Sequence, residues 1–350
     1  MKENNKIKIG ITIGDMNGVG PEIILKSFLD KRMLDFCTPI IYASSKSLDF
    51  FKNHFSYNIS FYKITSPREA AENKVNVIDC WNESPRINFG KTDNEIGKHA
   101  IASLRKATKD LSTGEINVMV TAPINKKSVQ SDKFSFPGHT EYLNSEINGE
   151  AIMIMVSNKL RICTLTTHIP IKEISSGITK PALENKIRAL QKTLIEDFNI
   201  SKPKIAVLGV NPHAGDQGLL GSEEKEIIMP ALKKMLEDGS MVFGPYSADG
   251  FFGSNQQDAF DAILAMYHDQ GLIPFKTLSF GQGVNYTGGL DKIRTSPDHG
   301  TAYEIAGKGI ADETSFKESI FLAISTYKNR EEHLQLIEGA IKEEKTAKTK

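Results

Sequence analysis

Apolar and polar positions alternate at the start of the chain and predict its first strand. Isoleucines stand at every second position from residue 7 to residue 13, which is the period of a strand with one buried face. A glycine-bearing turn follows at residues 14–20. Pro21 then suits the beginning of a helix, because the first helical N–H groups have no intrahelical partner.

Further short runs rich in β-branched residues predict more strands, with helical patterns between several of them. The clearest helical face holds Leu183, Ile187, Leu190, Leu194 and Phe198. Strands that alternate with helices need crossover connections, so they indicate a largely parallel sheet. At 350 residues the chain is long enough for two α/β subdomains or for one large domain with insertions. The further predicted strands are Pro39–Tyr42, Val75–Ile78, Ile116–Thr121, Ala151–Val156, Arg161–Thr167, Lys204–Val210 and Ala262–Tyr267.

The balance between basic and acidic residues indicates which classes of molecule the protein is expected to bind. Lys and Arg number 43 and Asp and Glu number 43, which argues against nucleic acid or an anionic membrane as the main partner. The chain has no signal-like apolar segment and no apolar run long enough to span a bilayer, so we expect a cytoplasmic protein. Three widely spaced cysteines predict reduced thiols, and the polar residues 341–350 predict a flexible tail.

Three histidines each follow an apolar run at the expected carboxyl end of a strand. They are His168 after RICTLTT, His213 after KIAVLGVNP and His268 after AILAMY. Parallel sheets bind ligands at this edge, and neutral imidazoles are common ligands of zinc and related ions. The three histidines therefore predict a catalytic metal site, although their wide spacing matches no local metal-binding motif. Ordinary hydrogen-bonding histidines are the alternative.

Two aspartates are candidates for supporting these histidines. Asp269 follows His268 directly, and Asp249 stands in GPYSADGFF. Either carboxylate could hold a metal-bound water or orient an imidazole ring. A role as a helix cap or turn residue fits both positions equally well.

A second group of candidates suits an anion. His139 and Thr140 stand in FPGHTEYL, Lys276 in LIPFKTLSF, Asn285 in GVNYTGG and Arg294 in KIRTSPDHGTA. Arginine and lysine among small polar residues on glycine-rich loops favour a bound phosphate or carboxylate, though each residue alone could be a solvated surface residue. No Gly-x-Gly-x-x-Gly motif follows a strand, so the residues alone leave the cofactor open.

Motifs along nearly the whole chain resemble the 4-hydroxythreonine-4-phosphate dehydrogenase family of vitamin B6 biosynthesis. Two of them, GDMNGVGPE and DHGTAYEIAGKGIA, are also similar to motifs of the metal-dependent isocitrate and isopropylmalate dehydrogenases, which lack the Rossmann fingerprint. Met16-Asn17 departs from the Pro-Ala that is common in the family. The matching blocks are GITIGDMNGVGPEI, VTAPINK, FPGHTEYL, TTHIPI, GVNPHAGDQGLLGSEE, GPYSADGFF, AMYHDQGL and FGQGVNYTGGLDKIRTSPDHGTAYEIAGKGIAD.

The resemblance implies an isocitrate/isopropylmalate dehydrogenase-like α/β fold with the active site in a cleft between two subdomains. Residues 1–125 and 285–340 would form the NAD-binding side, and residues 126–284 the metal, substrate and dimerisation side. The family's shared site implies a homodimer. The implied metal ligands are His168, His213 and His268; the implied substrate contacts are His139, Thr140, Lys276, Asn285 and Arg294; the implied cofactor contacts are Asn285, Asp298, His299, Gly300, Thr301, Ala306 and Gly307; and the catalytic candidates are Lys276, Asp249 and Asp269.

The implied reaction is the NAD-dependent oxidation of 4-phosphooxy-L-threonine to a 3-keto acid, which decarboxylates to 3-amino-2-oxopropyl phosphate. It would use one divalent ion per site, with zinc, magnesium and cobalt as candidates. Relatives with the same ligands act on 4-phospho-threonate or 4-phospho-erythronate, or on aromatic cis-diols. A phosphoacyl transferase or a metal hydrolase on a related fold is the alternative from another class.

Overall fold

A computed structural model describes residues 6–132 and 134–347 of the chain, without the side chains of residues 340–347. The strands are β1 Lys8–Thr12, β2 Thr38–Ala43, β3 Phe61–Ile64, β4 Val75–Asp79, β5 Val118–Thr121, β6 Gly149–Val156, β7 Arg161–Thr164, β8 Ile205–Leu208, β9 Val242–Tyr246, β10 Ala262–Ala265, β11 Val284–Leu290 and β12 Ile293–Pro297. The α-helices are α1 Gly20–Ser27, α2 Met33–Phe36, α3 Ser45–His54, α4 Asn94–Ser112, α5 His139–Glu146, α6 Ile174–Gly177, α7 Lys180–Glu196, α8 Met229–Glu237, α9 Ala248–Gly253, α10 His268–Ser279 and α11 Thr314–Ala347.

The described chain divides into two compact units. The first comprises Met1–Ala151 and Leu290–Ser325, and the second comprises Ile152–Gly289 and Thr326–Lys350. The subdomain boundaries expected from the sequence stay a prediction.

The first unit is built on parallel strands in the order β3-β4-β2-β1-β5-β12. Strands β2 and β5 are buried along almost their whole length, which explains why they are largely apolar runs. Strand β1 is also buried on both faces, although its isoleucines alternate with Gly10 and Thr12. The long helix α4 begins at an Asp93 cap, whose carboxylate accepts from the Glu95 N–H at 2.8 Å. One apolar face of α4, including Leu104 and Leu111, packs into the core with Met119 of β5.

The second unit carries the strand order β11-β6-β7-β10-β8-β9. Strands β7, β10, β8 and β9 pair in parallel, and β6 pairs with β7 in the antiparallel direction. Helix α7 buries Leu183, Ile187, Leu190 and Leu194, as the helical spacing predicts. It ends at Glu196, before Phe198, whose ring instead packs edge-on against Tyr286.

The strands predicted from the sequence are all present with ends shifted by a few residues, whereas β3, β9, β11 and β12 were not predicted. The three cysteines are free, and burial raises the pKa of the Cys37 thiol to about 12. Among the described residues, no helix has the length and apolar content needed to cross a bilayer. Helix α11 extends to Ala347, and the rest of the expected tail, residues 348–350, lies outside the described residues.

A buried ion pair holds the end of α7 to α11 in the second unit. Asp197 directly follows α7, is 1% exposed, and accepts two hydrogen bonds from the Arg330 guanidinium. The Tyr286 hydroxyl also donates to Asp197 at 2.5 Å, and Asn329 donates to its backbone carbonyl at 2.7 Å. A carboxylate buried in this way depends on all of its donors, because an unpaired buried charge is costly.

We therefore expect Arg330→Met to lower the free energy of unfolding by roughly 3–5 kcal/mol, because it leaves the Asp197 charge buried without its cation. Denaturant unfolding of the purified protein measures this change. Lys192→Met is the matched control, since Lys192 and Glu196 form a largely exposed pair 3.9 Å apart and such pairs contribute below about 1 kcal/mol. Equal losses in the two variants would contradict the importance of the buried pair.

Candidate functional site

The three histidines expected to bind a metal follow three neighbouring parallel strands. His168 comes after β7, His268 is the first residue of α10 after β10, and His213 comes after β8. These strands lie side by side in the order β7-β10-β8. Their carboxyl ends therefore share one edge of the sheet, as the sequence predicts.

The rings of His168 and His268 approach each other in this unit, with centroids 5.6 Å apart. The Nδ1 atom of His268 lies 2.7 Å from Oδ1 of Asp269. A carboxylate can only accept, so this contact places the proton on Nδ1 and leaves the Nε2 lone pair as the donor to an ion. Asp269 thus has the geometry of a residue that orients His268.

His213 lies in an unusual left-handed turn. Residues 213–217 all have positive φ, between 41° and 80°, and only Gly215 among them is glycine. The left-handed region costs about 1–2 kcal/mol for each residue with a side chain. Such conformations persist where the surroundings impose them, and they often occur at functional sites.

Asp249, in the first turn of α9, is electrostatically coupled to His213. The pKa of its carboxyl is lowered by a hydrogen bond from the Ser247 hydroxyl at 2.5 Å, by the Gly250 N–H and, to a smaller extent, by the charge of His213. Three imidazoles with two neighbouring carboxylates suit a divalent ion by donor type. Among the described side chains of one chain, those of residues 6–132 and 134–339, however, no three from His, Cys, Asp or Glu are close enough to hold one together.

In the first unit, Arg294 and His139 form the centre of a basic group. Arg294 lies on β12 and is only 3% exposed, and its guanidinium donates to the Thr121 hydroxyl from Nε at 3.0 Å and from Nη2 at 2.7 Å. His139 is the first residue of α5, and its Nε2 atom is buried with no hydrogen-bond partner among the described residues. Burial lowers the pKa of His139 well below its usual value, and the charges of Arg294 and Lys126 lower it further.

Lys126 and Thr121 belong to this group but were not among the residues selected from the sequence. Both stand in VTAPINK, one of the blocks that resemble the family, so this block could have identified them from the sequence. The carboxylate of Glu141, in the first turn of α5, counteracts the lowering of the Arg294 pKa by burial. Thr140, also expected at this site, is half-buried next to His139. The arrangement offers an anion two cations and a neutral imidazole.

The other two expected substrate residues, Lys276 and Asn285, lie in the second unit. Lys276 is exposed on α10, whereas Asn285 is half-buried on β11 and its Oδ1 atom has no hydrogen-bond partner in the described part of the chain. The sequence suggested glycine-rich loops for the anion-binding residues. That placement is wrong, because Arg294 and Asn285 lie on strands and His139 and Lys276 on helices.

The expected cofactor residues from Asp298 to Gly307 lie in the first unit, on a loop that packs against the turn after β1. The Thr301 carbonyl accepts from the Val19 N–H at 3.0 Å, and a Cβ on Gly18 would lie 2.7 Å from the same oxygen. Gly307 has a φ of 77°, and a Cβ there would lie 2.5 Å from the Phe89 ring. Glycine is therefore required where these backbones approach each other.

The remaining cofactor candidates differ in their surroundings. Asp298 lies at the beginning of the loop and accepts from the Ser315 hydroxyl at 3.4 Å. The Nδ1 atom of His299 is 2.9 Å from the Gly300 carbonyl oxygen, and its Nε2 atom is buried without a partner among the described residues. Ala306 is buried, whereas Asn285 belongs to the second unit.

Asp15 and Tyr303 join the same two segments and were missed from the sequence. The Tyr303 hydroxyl donates to Asp15 at 2.6 Å, and the Asn17 N–H donates to the other carboxylate oxygen at 2.8 Å. Burial raises the pKa of Asp15, and these hydrogen bonds oppose the shift. Glu22 adds a further connection by accepting from the Ala311 N–H at 2.7 Å. The motifs GDMNGVGPE and DHGTAYEIAGKGIA thus form one structural element.

The surroundings of His139 predict how its ring titrates. We expect the ring to become protonated only at a pH well below the ordinary histidine range in the absence of an anion, because burial and the neighbouring cations lower its pKa. The unfolded chain binds a proton at this residue near pH 6.5, about the ordinary histidine value, whereas the folded chain does not. The free energy of unfolding therefore decreases as the pH falls below about 6.5, because the unfolded chain binds a proton at His139 that the folded chain does not. NMR of the imidazole measures the titration, and adding inorganic phosphate should raise the pKa. Titration near pH 6.5 without phosphate would contradict the buried cationic environment.

Comparison with known proteins gives a consistent result. Residues 35–323 match the family described as "Pyridoxal phosphate biosynthetic protein PdxA". The chain is 51% identical over 331 residues to "4-hydroxythreonine-4-phosphate dehydrogenase" of Bacteroides thetaiotaomicron, covering 94% of this chain and 91% of that one. It is 38% identical to "D-threonate 4-phosphate dehydrogenase" of Cupriavidus necator, covering 89% and 95%.

Solved structures agree with these relatives. The crystal structure of a 4-hydroxythreonine-4-phosphate dehydrogenase from Klebsiella pneumoniae is 34% identical and has a TM-score of 0.79, with coverage of 93% of this chain and 99% of that one. The resemblance stated from the sequence motifs is confirmed. The chain belongs to the PdxA family of pyridoxal phosphate biosynthetic proteins.

Proposed function

We propose that this protein is a dehydrogenase that oxidises 4-phosphooxy-L-threonine with NAD, giving the 3-keto acid that decarboxylates to 3-amino-2-oxopropyl phosphate. The names of its relatives support this reaction. The observation in the structure that supports it best is the basic group in which the buried Arg294 and the charge of Lys126 lie near His139. A phosphorylated substrate would bring the negative charge that such a group needs.

In this proposal the basic group binds and orients the phosphate. Arg294 is fixed by two hydrogen bonds to Thr121, so its remaining N–H groups keep a defined direction. His139 favours the neutral form in the absence of an anion, and its ring N–H can donate one hydrogen bond to the phosphate. Binding the phosphate in this way would fix the position of the hydroxyl carbon relative to the rest of the substrate.

Bound NAD would accept the hydride, and a bound divalent ion would lower the pKa of the substrate hydroxyl and stabilise the charge formed on decarboxylation. We propose that His168, His213 and His268 hold the ion. Asp269 would keep the His268 ring oriented through its contact with Nδ1, and Asp249 would act similarly on His213. Lys276 is the candidate for the base that takes the hydroxyl proton, or for an additional phosphate contact.

For NAD we propose the segment from Asn285 to Ala311. Its loop at residues 298–307 is held rigidly against the turn after β1, and the buried Nε2 atom of His299 is left without a partner in the described part of the chain. A preorganised backbone with an unsatisfied polar atom suits a ligand. Asp298, Gly300, Thr301, Ala306 and Gly307 would contribute through the same loop.

Oxidation of 4-phospho-D-threonate is the second candidate. A relative named for that activity is 38% identical over most of the chain. Both substrates carry a terminal phosphate, so the basic group suits both of them. They differ at C2, which carries an amino group in one substrate and a hydroxyl group in the other.

The deciding experiment measures NADH formation with 4-phosphooxy-L-threonine, 4-phospho-threonate and 4-phospho-erythronate in parallel. We expect the highest kcat/KM for 4-phosphooxy-L-threonine. Arg294→Ala should lower this value at least about tenfold, because a charge-assisted hydrogen bond is worth roughly 1.5–3 kcal/mol. The same variant should change the rate with a dephosphorylated analogue much less.

Arg188→Ala is the control for the loss of one positive charge, because Arg188 is exposed on α7. Equal losses of activity on phosphorylated and dephosphorylated substrates would mean that Arg294 does not contact the phosphate. Absence of NADH with all three phosphorylated acids would overturn the proposed reaction.

We also propose that the protein acts in the cytoplasm as a homodimer whose subunits share the active site. Several large apolar side chains of the second unit are exposed, which suits a covered surface in an oligomer. Phe280 is 84% exposed, Leu219 79% and Ile273 64%.

We expect Phe280→Asp combined with Ile273→Asp to shift the protein from dimer to monomer in sedimentation velocity and to reduce activity in parallel. Burying a carboxylate at an apolar interface is costly, which gives the direction of the change. Leu236→Asp, an exposed apolar position on α8, serves as the control. A monomeric variant with full activity would contradict the shared site.

A further inference from the structure

The loop that carries His213 surrounds a buried carboxylate. Glu224 is 2% exposed, and its Oε1 atom accepts from the backbone N–H groups of Val210 at 2.7 Å and Asn211 at 2.8 Å. Its Oε2 atom accepts from the Asn211 side chain at 2.9 Å. Glu224 therefore fixes the backbone directly before the left-handed turn.

The glycines on both sides of this turn fit closely around the same carboxylate. A Cβ at Gly209 would lie 3.0 Å from Oε1 of Glu224, and a Cβ at Gly215 would lie 2.7 Å from Oε2. The loop thus wraps around Glu224, and the carboxylate compensates for backbone conformations that the sequence would otherwise disfavour. Hydrogen bonds of this type, to a charged acceptor, are among the stronger ones in proteins.

A second side chain connects this loop to the beginning of α10, where His268 lies. The amide of Gln270 donates to the Gly209 carbonyl at 2.6 Å, and its oxygen accepts from the Met266 N–H at 2.7 Å. The Met266 carbonyl in turn accepts from the Thr166 hydroxyl at 2.7 Å, two residues before His168. One chain of hydrogen bonds therefore connects the three loops that carry the histidines.

We propose that Glu224 and Gln270 are positioning residues for the divalent-ion site: Glu224 holds the left-handed turn that presents His213, and Gln270 sets the spacing between this turn and the loop of His268. Neither side chain is itself a ligand. This inference rests on the metal binding put forward above as part of the proposed function.

The test compares the affinity of the purified protein for Zn²⁺ and Co²⁺ by competition with a chromophoric chelator. Glu224→Gln places an amide N–H opposite the Asn211 amide, and Gln270→Glu places a carboxylate oxygen opposite the Gly209 carbonyl. We expect each variant to bind the ions about tenfold or more weakly, as for other residues that orient ligands. The rate of NADH formation should recover as the metal concentration is raised, which a general loss of folding would not produce.

Matched controls carry the same chemical changes at exposed positions of the same unit. Glu226→Gln and Gln256→Glu should bind both ions within about twofold of the unaltered protein. Circular dichroism and thermal unfolding establish that each variant is folded. Gln270 is half-buried, so its variant keeps the test decisive if Glu224→Gln unfolds.

Folded variants with unchanged ion affinity would overturn the inference while leaving the proposed function intact. Failure of the unaltered protein to bind either ion would overturn the proposed metal site and the inference with it. Weaker binding that is equal in the variants and the controls would also overturn the inference, because the loss would then not depend on the positions of Glu224 and Gln270.

Discussion

Parallel pairing of β7, β10 and β8 is the constraint on which the chemistry of the second unit depends. Three parallel neighbours must have their carboxyl ends at the same edge. Each of these strands is short, and each ends three to five positions before its histidine. Polar connections then tie one strand end to the next, from the Thr166 hydroxyl through Met266 to Gln270. Backbone hydrogen bonds continue past the strand ends, as from the Thr166 N–H to the Met266 carbonyl at 3.2 Å, and the Gln270 side chain pairs with the Met266 N–H.

The left-handed turn after β8 is conformationally unfavourable, and it carries a candidate metal ligand. Four residues with side chains adopt a conformation that glycine tolerates far better, and one of them is His213. Glu224 compensates for this backbone strain. It is the first residue of a short π-helical segment, Glu224–Ile228. Segments of this kind are rare and occur often at functional sites. The left-handed turn and the π-helical segment, which are both locally unfavourable, thus stabilise each other through the buried carboxylate of Glu224.

Much of the site could be predicted because the strands before the histidines are simple apolar runs. Apolar runs end shortly before residues 168, 213 and 268. These runs predicted both the strands and the position of each histidine after the end of a strand. The left-handed turn could not be predicted, since Gly215 alone signals positive φ and its compensating carboxylate follows in a helix. Strands β11 and β12 were missed because VNYTGGL contains two glycines and IRTSP contains a proline. Both are strands because neighbouring strands pair with them, as β5 does with β12.

The first unit adds a different constraint, which bears on the charge of the substrate. Arg294 loses most of its hydration on β12, and the Thr121 hydroxyl that accepts from it is neutral. Glu141 supplies one negative charge nearby, whereas Arg294 and Lys126 supply two positive charges around His139. Burial of the imidazole, together with this excess of positive charge, lowers the pKa of His139 and favours its neutral form. A dianionic phosphate would reverse the local balance and favour protonation of His139, but a neutral diol would leave the balance unchanged. The basic group therefore favours a phosphorylated acid over an aromatic diol for this member of the family.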